Sequence, residues 1–175
     1  MTVDRCEQCG FVYESLAPGD MGSTIRRLAQ DIGAELVNPA VSHGIRMRPA
    51  PEVWSALEYG CHVRDVLLVQ RERMLLAQVE ERPSFARMYR DERVTLAGYA
   101  DERVEDVAGH LTVAAALVGR VVDGLTPEQL ARPCIYNFPA ETERDVAWLG
   151  RHTVHEATHH LDDIRSVLSR LGGRL

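Results

Sequence analysis

The sequence predicts an all-α protein, a four-helix bundle preceded by an irregular N-terminal segment with a CxxC motif. Three observations carry this prediction: long stretches with apolar residues spaced three and four apart, helix-start signals before several of them, and almost no alternating strand pattern. The chain has 175 residues and is 45% hydrophobic, enough for one substantial core. We therefore expect an irregular segment over residues 1–22 and one bundle domain over residues 23–175.

The first two long helices are defined by their start signals and by prolines. Ser23 is the predicted cap of the first helix, which ends before Pro39. Ser55 and Glu58 form a capping box at the start of the second, which runs to about Glu81. The apolar residues that define the first helical face are Ile25, Leu28, Ile32 and Leu36.

The third long helix follows Glu102 and has the most regular apolar pattern in the chain. Its apolar positions alternate spacings of three and four, as expected of a helix packed in a bundle. They are Val104, Val107, Leu111, Ala114, Val118, Val121 and Leu125. Thr126 and Gln129 then form a second capping box, with Pro127 at the first helical position, which predicts a short helix.

The last long helix is predicted after a loop bracketed by prolines. Residues 133–139 are interpreted as that loop, and residues 142–145, with Thr142 and Asp145, as the start of the helix. The helix is predicted to stop at Gly172 and Gly173.

Charge and hydropathy limit the classes of partner. The net charge is −6, with no block of basic residues, which argues against nucleic-acid binding. No apolar run is judged long enough to span a bilayer, and the N-terminus lacks the basic-then-apolar order of a signal peptide. We expect a cytoplasmic protein with a small-molecule substrate, and neither a nucleic acid nor a membrane as partner.

The segment His155–His160 is the strongest functional signal. His155 and His159 are four residues apart, so in a helix their imidazoles lie on one face, where both can bind one divalent ion. Imidazole suits zinc best here, with nickel, iron or cobalt as alternatives. The same residues spell HExxH, in which Glu156 would act as a general base.

A third metal ligand has to come from upstream of this motif. The longer HExxHxxGxxH form is absent, because Asp162 and Arg165 occupy its last two defining positions. His62, two turns into the second helix, is the best candidate. A site of His62, His155 and His159 leaves positions free for water or substrate, as catalytic sites do. His152 and His160 are expected to support the ligands through hydrogen bonds or packing.

The N-terminal cysteines form a separate motif. Cys6 and Cys9 lie in a CxxCG turn typical of zinc ribbons and knuckles, but the second half of a ribbon is missing. The pair is left with three interpretations: a second metal site completed by a distant histidine, a redox dithiol, or two free thiols. Cys61 and Cys134 are expected to be ordinary buried thiols.

These residues together resemble the DinB-like superfamily of metal-binding four-helix bundles. The resemblance covers roughly residues 48–171. It rests on Trp54-Ser55 before Glu58, on His62 with Asp65, and on the closing helix with its HxxxHH motif. The stretch 48–59 and the N-terminal CxxCGF are similar to an actinobacterial branch. The resemblance implies an up-up-down-down bundle, often dimeric, that binds one zinc or nickel ion through His62, His155 and His159, with Asp65 in a supporting role.

The resemblance also implies several activities. Members include mycothiol-dependent maleylpyruvate isomerase, bacillithiol transferases and metal-dependent hydrolases. We therefore expect a metal-dependent transferase or isomerase that uses a low-molecular-weight thiol, held as thiolate by the metal, against a small electrophile. The alternatives are a non-catalytic metal-binding bundle with a stress or accessory role and, third, an HExxH-type hydrolase.

Overall fold

A computed structural model describes residues 4–172 of the chain. The first three residues of the predicted N-terminal segment and the predicted helix stop at Gly173 lie outside the described residues. The helices are α1 Met21–Val37, α2 Ala56–Val79, α3 Arg90–Leu96, α4 Val104–Gly124, α5 Pro127–Leu130 and α6 Val146–Gly172. The strands are β1 Ser84–Phe85, β2 Pro133–Asn137 and β3 Glu141–Asp145.

The four long helices α1, α2, α4 and α6 form a bundle, which confirms the predicted fold class. Helix α1 packs against α4 and α6, and α2 packs against the same two helices, so α1 and α2 lie diagonally opposite. The start of α1 lies at the end of α4, where Arg26 pairs with Asp123. The end of α1 lies at the end of α6, where Arg165 pairs with Glu35.

The contacts between helix ends give the direction of each helix. Leu36, near the end of α1, lies against Gly60, near the start of α2. Arg64 of α2 pairs with Glu102, just before α4 begins, so α2 and α4 run parallel. The directions along the chain are therefore up, down, down, up. Around the bundle, from α6 through α1 and α4 to α2, they are up, up, down, down.

The core is built from the apolar stripes that the sequence predicts. All four apolar residues chosen for the face of the first helix are buried, and the largest fully buried side chains come from all four long helices. Gly150 of α6 allows close packing, because a Cβ atom there would lie 2.6 Å from the sulfur of Met21. These contacts fix the position of α6, which carries most of the histidines.

Both predicted capping boxes are present. The Ser55 hydroxyl accepts a hydrogen bond from the Glu58 N–H, and the Glu58 carboxylate accepts one from the Ser55 N–H. Thr126 and Gln129 make the same exchange at the start of α5. The predicted cap of the first helix is wrong by three residues: α1 begins at Met21 with Asp20 at the cap position, and the Ser23 hydroxyl donates to the Asp20 carbonyl within the first turn.

A small sheet replaces the loop predicted over residues 133–139. Strand β2 pairs in parallel with β1 and antiparallel with β3, with Tyr136 opposite Thr142. The prediction that residues 142–145 open the last helix is also wrong, because they form β3. Helix α6 begins at Val146, where the Asp145 carboxylate accepts a hydrogen bond from the Trp148 N–H.

Helix α4 corrects the expectation about membrane-length segments. By length and composition, Val104–Gly124 is apolar enough to cross a bilayer. In the fold, however, this helix packs against α1 and α2, and the core helix of a bundle passes the same test. This packing buries 39% of its most apolar stretch and leaves Val113 and Leu117 exposed.

Candidate metal centre

One stretch of α6 carries two interleaved pairs of metal-binding side chains. His155 and His159 are one helical turn apart, and so are Glu156 and His160. Neighbouring positions in an α-helix are rotated by about 100° around its axis. The two pairs therefore face different parts of the molecule. Both pairs lie in the middle of a long, packed helix, so their directions are fixed by the bundle.

Glu156 and His160 of α6 face α2. Together with His62 of α2 they form what we call the bundle cluster. One ligating atom from each lies within 4.8 Å of the others. The Glu156 Oε2 atom is 3.7 Å from His62 Nε2 and 3.6 Å from His160 Nε2. These distances exceed those of hydrogen bonds. Ligand atoms around a tetrahedral zinc ion lie about 3.3 Å apart, given bonds of about 2.0–2.1 Å, so the observed spacing is close to that of a metal site.

His62 is the clearest sign of an ion in the bundle cluster. Its side chain is 2% exposed, and neither ring nitrogen has a hydrogen-bond partner among the described residues. A buried polar group without a partner costs about 1–3 kcal/mol. An ion bound between His62, Glu156 and His160 would remove that cost for His62 Nε2, the nitrogen that lies beside Glu156. The residues present therefore fit a divalent metal.

His160 is oriented by a carboxylate on its far side. Its Nδ1 atom lies 2.8 Å from Asp163 Oδ2, which leaves Nε2 directed toward Glu156 and His62. Imidazoles that bind metals usually donate their other N–H to such a carboxylate, which fixes the ring and the tautomer. The position of Asp163 is thus what a ligating His160 requires.

Two of the three groups in the bundle cluster, Glu156 and His62, have the protonation state that a metal ligand needs. Burial raises the pKa of Glu156, but the nearby imidazoles of His160 and His62 lower it by more, so the pKa lies well below its ordinary value. Burial lowers the pKa of His62 and keeps the ring neutral. For His160, burial lowers the pKa, but Asp163 and Glu156 raise it to about 9. Binding of an ion would therefore release a proton from His160.

His155 and His159 of α6 face the N-terminal segment. Together with Cys6 and Cys9 of that segment they form what we call the thiol cluster. One ligating atom from each lies within 4.8 Å of all the others. Residues 4–16 lie along α6, where the Tyr13 ring stacks on Trp148 at 5.4 Å between centroids. The Trp148 Nε1 atom donates a hydrogen bond to the Asp4 carboxylate.

The three histidines predicted to share one ion are divided between the two clusters. Within residues 4–172, no group of ligating atoms this close together combines His62 with His155 or His159. The physical reason is the rotation between neighbouring helix positions, which directs Glu156 and His160 at α2 and the HxxxH pair away from it. The ExxxH spacing of Glu156 and His160 was visible in the sequence, but their direction relative to α2 was not.

The remaining predicted residues take several positions. His152 is buried, and its ring nitrogens contact the hydroxyls of Tyr13 at 2.8 Å and Tyr136 at 3.0 Å. Asp65 belongs to neither cluster, and its carboxylate accepts hydrogen bonds from Arg64 and Tyr99 and so joins α2 to the segment before α4. Two further thiols, Cys61 and Cys134, are fully buried, as predicted.

A cavity of 740 Å³ opens beside both clusters. Its lining includes residues of the N-terminal segment, His62, several α6 histidines, Tyr136 and a set of arginines. These arginines are Arg5, Arg73, Arg87, Arg90 and Arg144. Enclosed volumes of about 300–1,000 Å³ are typical of small-molecule sites.

Arg73 is the cavity residue that the sequence interpretation missed. It is 7% exposed, and its Nη2 atom donates a hydrogen bond to the Ala86 carbonyl. Its Nη1 atom is buried without a hydrogen-bond partner, and no ion pair joins Arg73 to a carboxylate, among residues 4–172. Its guanidinium lies 5.1 Å from the centre of the Tyr136 ring. A buried, unpaired cation beside a cavity is expected to bind an anion. The sequence of α2 gives no signal that separates this arginine from the solvent-facing ones of the same helix.

Comparisons with known proteins agree with this architecture. Residues 27–164 match the DinB superfamily. The solved structure of YfiT from Bacillus subtilis superposes with a TM-score of 0.71 at 17% sequence identity, over 86% of this chain and 87% of that one. YfiT is described as a probable metal-dependent hydrolase with an unusual four-helix bundle topology. The comparison with curated proteins found no match.

Proposed function

The chain belongs to the DinB superfamily, and on that premise we propose that it is a metal-dependent enzyme that acts on a small molecule in the cavity beside the bundle cluster. The observation that carries this proposal is His62, a buried imidazole with two unpartnered nitrogens beside Glu156 and His160. Three protein ligands leave at least one coordination position for a guest, as in catalytic metal sites.

The donor set of two imidazoles and one carboxylate suits zinc first, with nickel, iron or cobalt as alternatives. A divalent ion in this position would act as a Lewis acid and lower the pKa of a thiol or a water molecule beside it. The chain's own contribution is to keep Glu156 anionic and His62 neutral and to orient His160 through Asp163.

We assign the nucleophile to a low-molecular-weight thiol of the mycothiol type and the substrate to a small anionic electrophile. Arg73, which lacks a carboxylate partner, would bind the anionic group. For a conjugated unsaturated acid, the thiolate sulfur bonds to the β-carbon, and the π electrons move toward the carboxylate. Protonation of the α-carbon then gives a thioether, whereas rotation and expulsion of the thiolate gives the isomer.

Tyr136 is positioned to supply a hydrogen-bond donor in this cavity. Burial raises the pKa of its phenol, so the group keeps its proton at neutral pH. Its hydroxyl contacts the His152 ring, whose pKa burial lowers to about 4. Both side chains are therefore neutral at pH 7. His152 uses both ring nitrogens on the Tyr13 and Tyr136 hydroxyls, so Tyr136 is the side chain of the two that would orient a guest, without adding charge.

A hydrolase remains the second candidate, because the structural neighbour YfiT carries that description. The same cluster would then activate water. An HExxH peptidase mechanism fits less well, since it needs His155 and His159 on the ion that Glu156 serves as base. Here His155 and His159 group with two cysteines, and Glu156 Oε2 lies at ligand distance from His62 and His160, while its Oε1 atom lies 3.6 Å from His155 Nδ1.

Cobalt substitution tests the thiol assignment. The Cys6→Ser/Cys9→Ser variant removes the protein's own thiolates near the cavity, so any thiolate-to-cobalt absorption must come from added thiol. Mycothiol added to this cobalt-loaded variant should produce such a band, saturating at one equivalent. The same variant with His62→Ala should bind no cobalt at the bundle cluster and give no band. Bound cobalt without a thiol band would contradict the thiol assignment, and no bound cobalt would contradict the metal centre.

The anion assignment has its own test. Arg73→Gln should raise the KM for an unsaturated carboxylic acid in the thiol addition assay and leave the KM for its methyl ester unchanged. Loss of one charge-assisted hydrogen bond corresponds to about 1.5–3 kcal/mol, or roughly 10-fold to 150-fold. Equal effects on the acid and the ester would contradict a role for Arg73 in binding the anionic group.

A further inference from the structure

We propose that Cys6, Cys9, His155 and His159 bind a second ion, a zinc ion with four protein ligands, that fixes the N-terminal segment to α6. This site is separate from the bundle cluster and shares no ligand with it. It goes beyond the proposed function, because it predicts two ions in one chain.

The donor set is the first argument. Two thiolates and two imidazoles are a common ligand set of structural zinc sites, which are tetrahedral and closed. The four ligating atoms lie within 4.8 Å of one another. Zinc bonds of about 2.3 Å to sulfur and about 2.0–2.1 Å to nitrogen require only a small contraction from that spacing.

The conformation of the N-terminal turn is the second argument. The Gly10 N–H donates to the Cys6 carbonyl, and the Cys6 N–H donates to the Phe11 carbonyl, each at 2.9 Å. Gly10 has a φ of +74°, a backbone conformation that favours glycine. The extended segments on either side of the turn meet in an isolated β-bridge between Arg5 and Val12. This turn holds both cysteines at one end of a short hairpin, where both sulfurs reach the imidazoles of α6.

Unpartnered nitrogens on both histidines are the third and independent argument. His155 is 9% exposed, and its Nε2 atom is buried without a hydrogen-bond partner in the part of the chain that the structure describes. The Nδ1 atom of His159 is likewise buried and unpartnered. Leaving two such groups unsatisfied would cost about 1–3 kcal/mol each. A zinc ion bound to the two sulfurs and to these two nitrogens would satisfy both.

The opposite nitrogen of each ring has a supporting neighbour. The His155 Nδ1 atom lies 3.2 Å from the Tyr13 hydroxyl, and the His159 Nε2 atom lies 3.6 Å from Asp163. Tyr13 also contacts His152 Nδ1 at 2.8 Å. If the Tyr13 hydroxyl donates to His152 and accepts from His155, the lone pair of His155 is left on Nε2. This is the tautomer that a ligating imidazole needs.

The site also explains how a segment without regular helix becomes part of the cavity. Asp4, Arg5 and Cys6 line the cavity that the bundle cluster faces. A short irregular segment held only by stacking and a few hydrogen bonds would be weakly ordered. Zinc binding by two residues of the segment and two of α6 would fix this wall, as metal binding fixes other small motifs.

Metal content and thiol reactivity together test the proposal. Reduced protein saturated with zinc and freed of excess metal should carry two zinc ions per chain in native mass spectrometry. Cys6→Ser/Cys9→Ser should carry one, and the control His110→Ala, an exposed histidine of α4, should carry two. A double cysteine variant that keeps both zinc ions would overturn the proposal.

A second measurement uses the unmodified chain and does not depend on the folding of a variant. In the zinc-loaded protein, Cys6 and Cys9 should resist alkylation by iodoacetamide, and removal of zinc with EDTA should make both reactive. Cys61 and Cys134 are fully buried and serve as internal controls that stay unmodified in both states. Equal alkylation of Cys6 and Cys9 with and without zinc would overturn the proposal, whatever the result for the bundle cluster.

Discussion

The bundle cluster and the thiol cluster use the same turn of α6 for two different purposes. The bundle cluster takes Glu156 and His160 from that turn and adds only His62 from α2. The thiol cluster takes His155 and His159 and adds two cysteines from outside the bundle. The two pairs are offset by only one residue along α6, yet one belongs to the three-ligand bundle cluster and the other to the four-ligand thiol cluster.

This difference shows how ligand number follows from the partner element. A rigid helix such as α2 offers few positions that face a given point, whereas a tight turn such as Cys6–Gly10 offers two thiols close together. The first arrangement leaves room for a guest, and the second fills the coordination shell. We therefore expect catalysis at the bundle cluster and a structural role at the thiol cluster.

The largest effect should come from Glu156→Gln. This change keeps the shape of the side chain but removes the only anionic donor of the bundle cluster. We expect metal affinity there to fall by more than the roughly 10-fold to 100-fold typical of outer-shell changes. Isothermal titration with zinc should show the loss at one site only. Glu141→Gln, at an exposed position, is the control. Loss of both ions would contradict the separation of the clusters.

Asp163→Asn should have the next largest effect. Its carboxylate lies 2.8 Å from His160 Nδ1 and 3.6 Å from His159 Nε2, so it supports one ligand of each cluster. We expect about 10-fold to 100-fold weaker binding at the bundle cluster and a smaller loss at the thiol cluster. The neighbouring exposed Asp162→Asn is the matched control. An equal change in both variants would mean that the contact with His160 is unimportant.

Gly10→Ala should affect the thiol cluster alone, and more weakly. Gly10 has a positive φ, and an added Cβ would lie 3.2 Å from the Arg5 guanidinium. The left-handed conformation costs a non-glycine residue about 1–2 kcal/mol, equivalent to a roughly 5-fold to 30-fold weaker zinc affinity. Competition with a chelator would measure this. The control is Gly19→Ala, where an added Cβ has no neighbour within 4 Å. Equal zinc affinities of the two variants would argue against the proposal that the turn positions Cys6 and Cys9.

Glu58→Gln should leave both metal affinities nearly unchanged and lower stability instead. Glu58 is buried, accepts two hydrogen bonds from Arg48 Nε and Nη2, and caps α2 one turn before His62. Loss of charged hydrogen bonds is expected to cost about 1.5–3 kcal/mol at pH 7, measured by urea unfolding. A large change in zinc affinity would show that the α2 start positions His62 more strongly than proposed.

The pH dependence of this variant has a definite sign. Burial raises the pKa of Glu58, but Arg48 and Ser55 lower it more, so the folded pKa lies below the ordinary value of 4.5. The stability that Glu58 contributes is therefore present above that value and is lost as the pH falls through the folded pKa. The difference between wild type and Glu58→Gln should shrink in acid. Glu52→Gln, at an exposed position, should show no such difference at any pH.

Much of the fold was predictable because helix periodicity and caps are local signals. The apolar stripes and the Ser55 and Thr126 capping boxes depend only on residues a few positions apart. The hairpin of β2 and β3 was missed because its strands are short and bracketed by prolines, which are typical of loops. The start of α6 was misplaced for the same reason.

The candidate site was predictable in composition but not in grouping. The metal-binding residue types and the i,i+4 spacing are visible in the sequence, as is the CxxCG turn. Which face of α6 meets His62, and which meets Cys6, depends on the rotation of α6 within the bundle, a property set by long-range packing. The role of Arg73 depends on the absence of a nearby carboxylate, which is also a tertiary property.

Anomalous X-ray diffraction at the zinc edge, on crystals of the zinc-loaded protein, would locate each ion. We predict two anomalous peaks per chain, one between His62, Glu156 and His160 and one among Cys6, Cys9, His155 and His159. A single peak at equal distance from His62, His155 and His159 would contradict the division of the histidines between two sites.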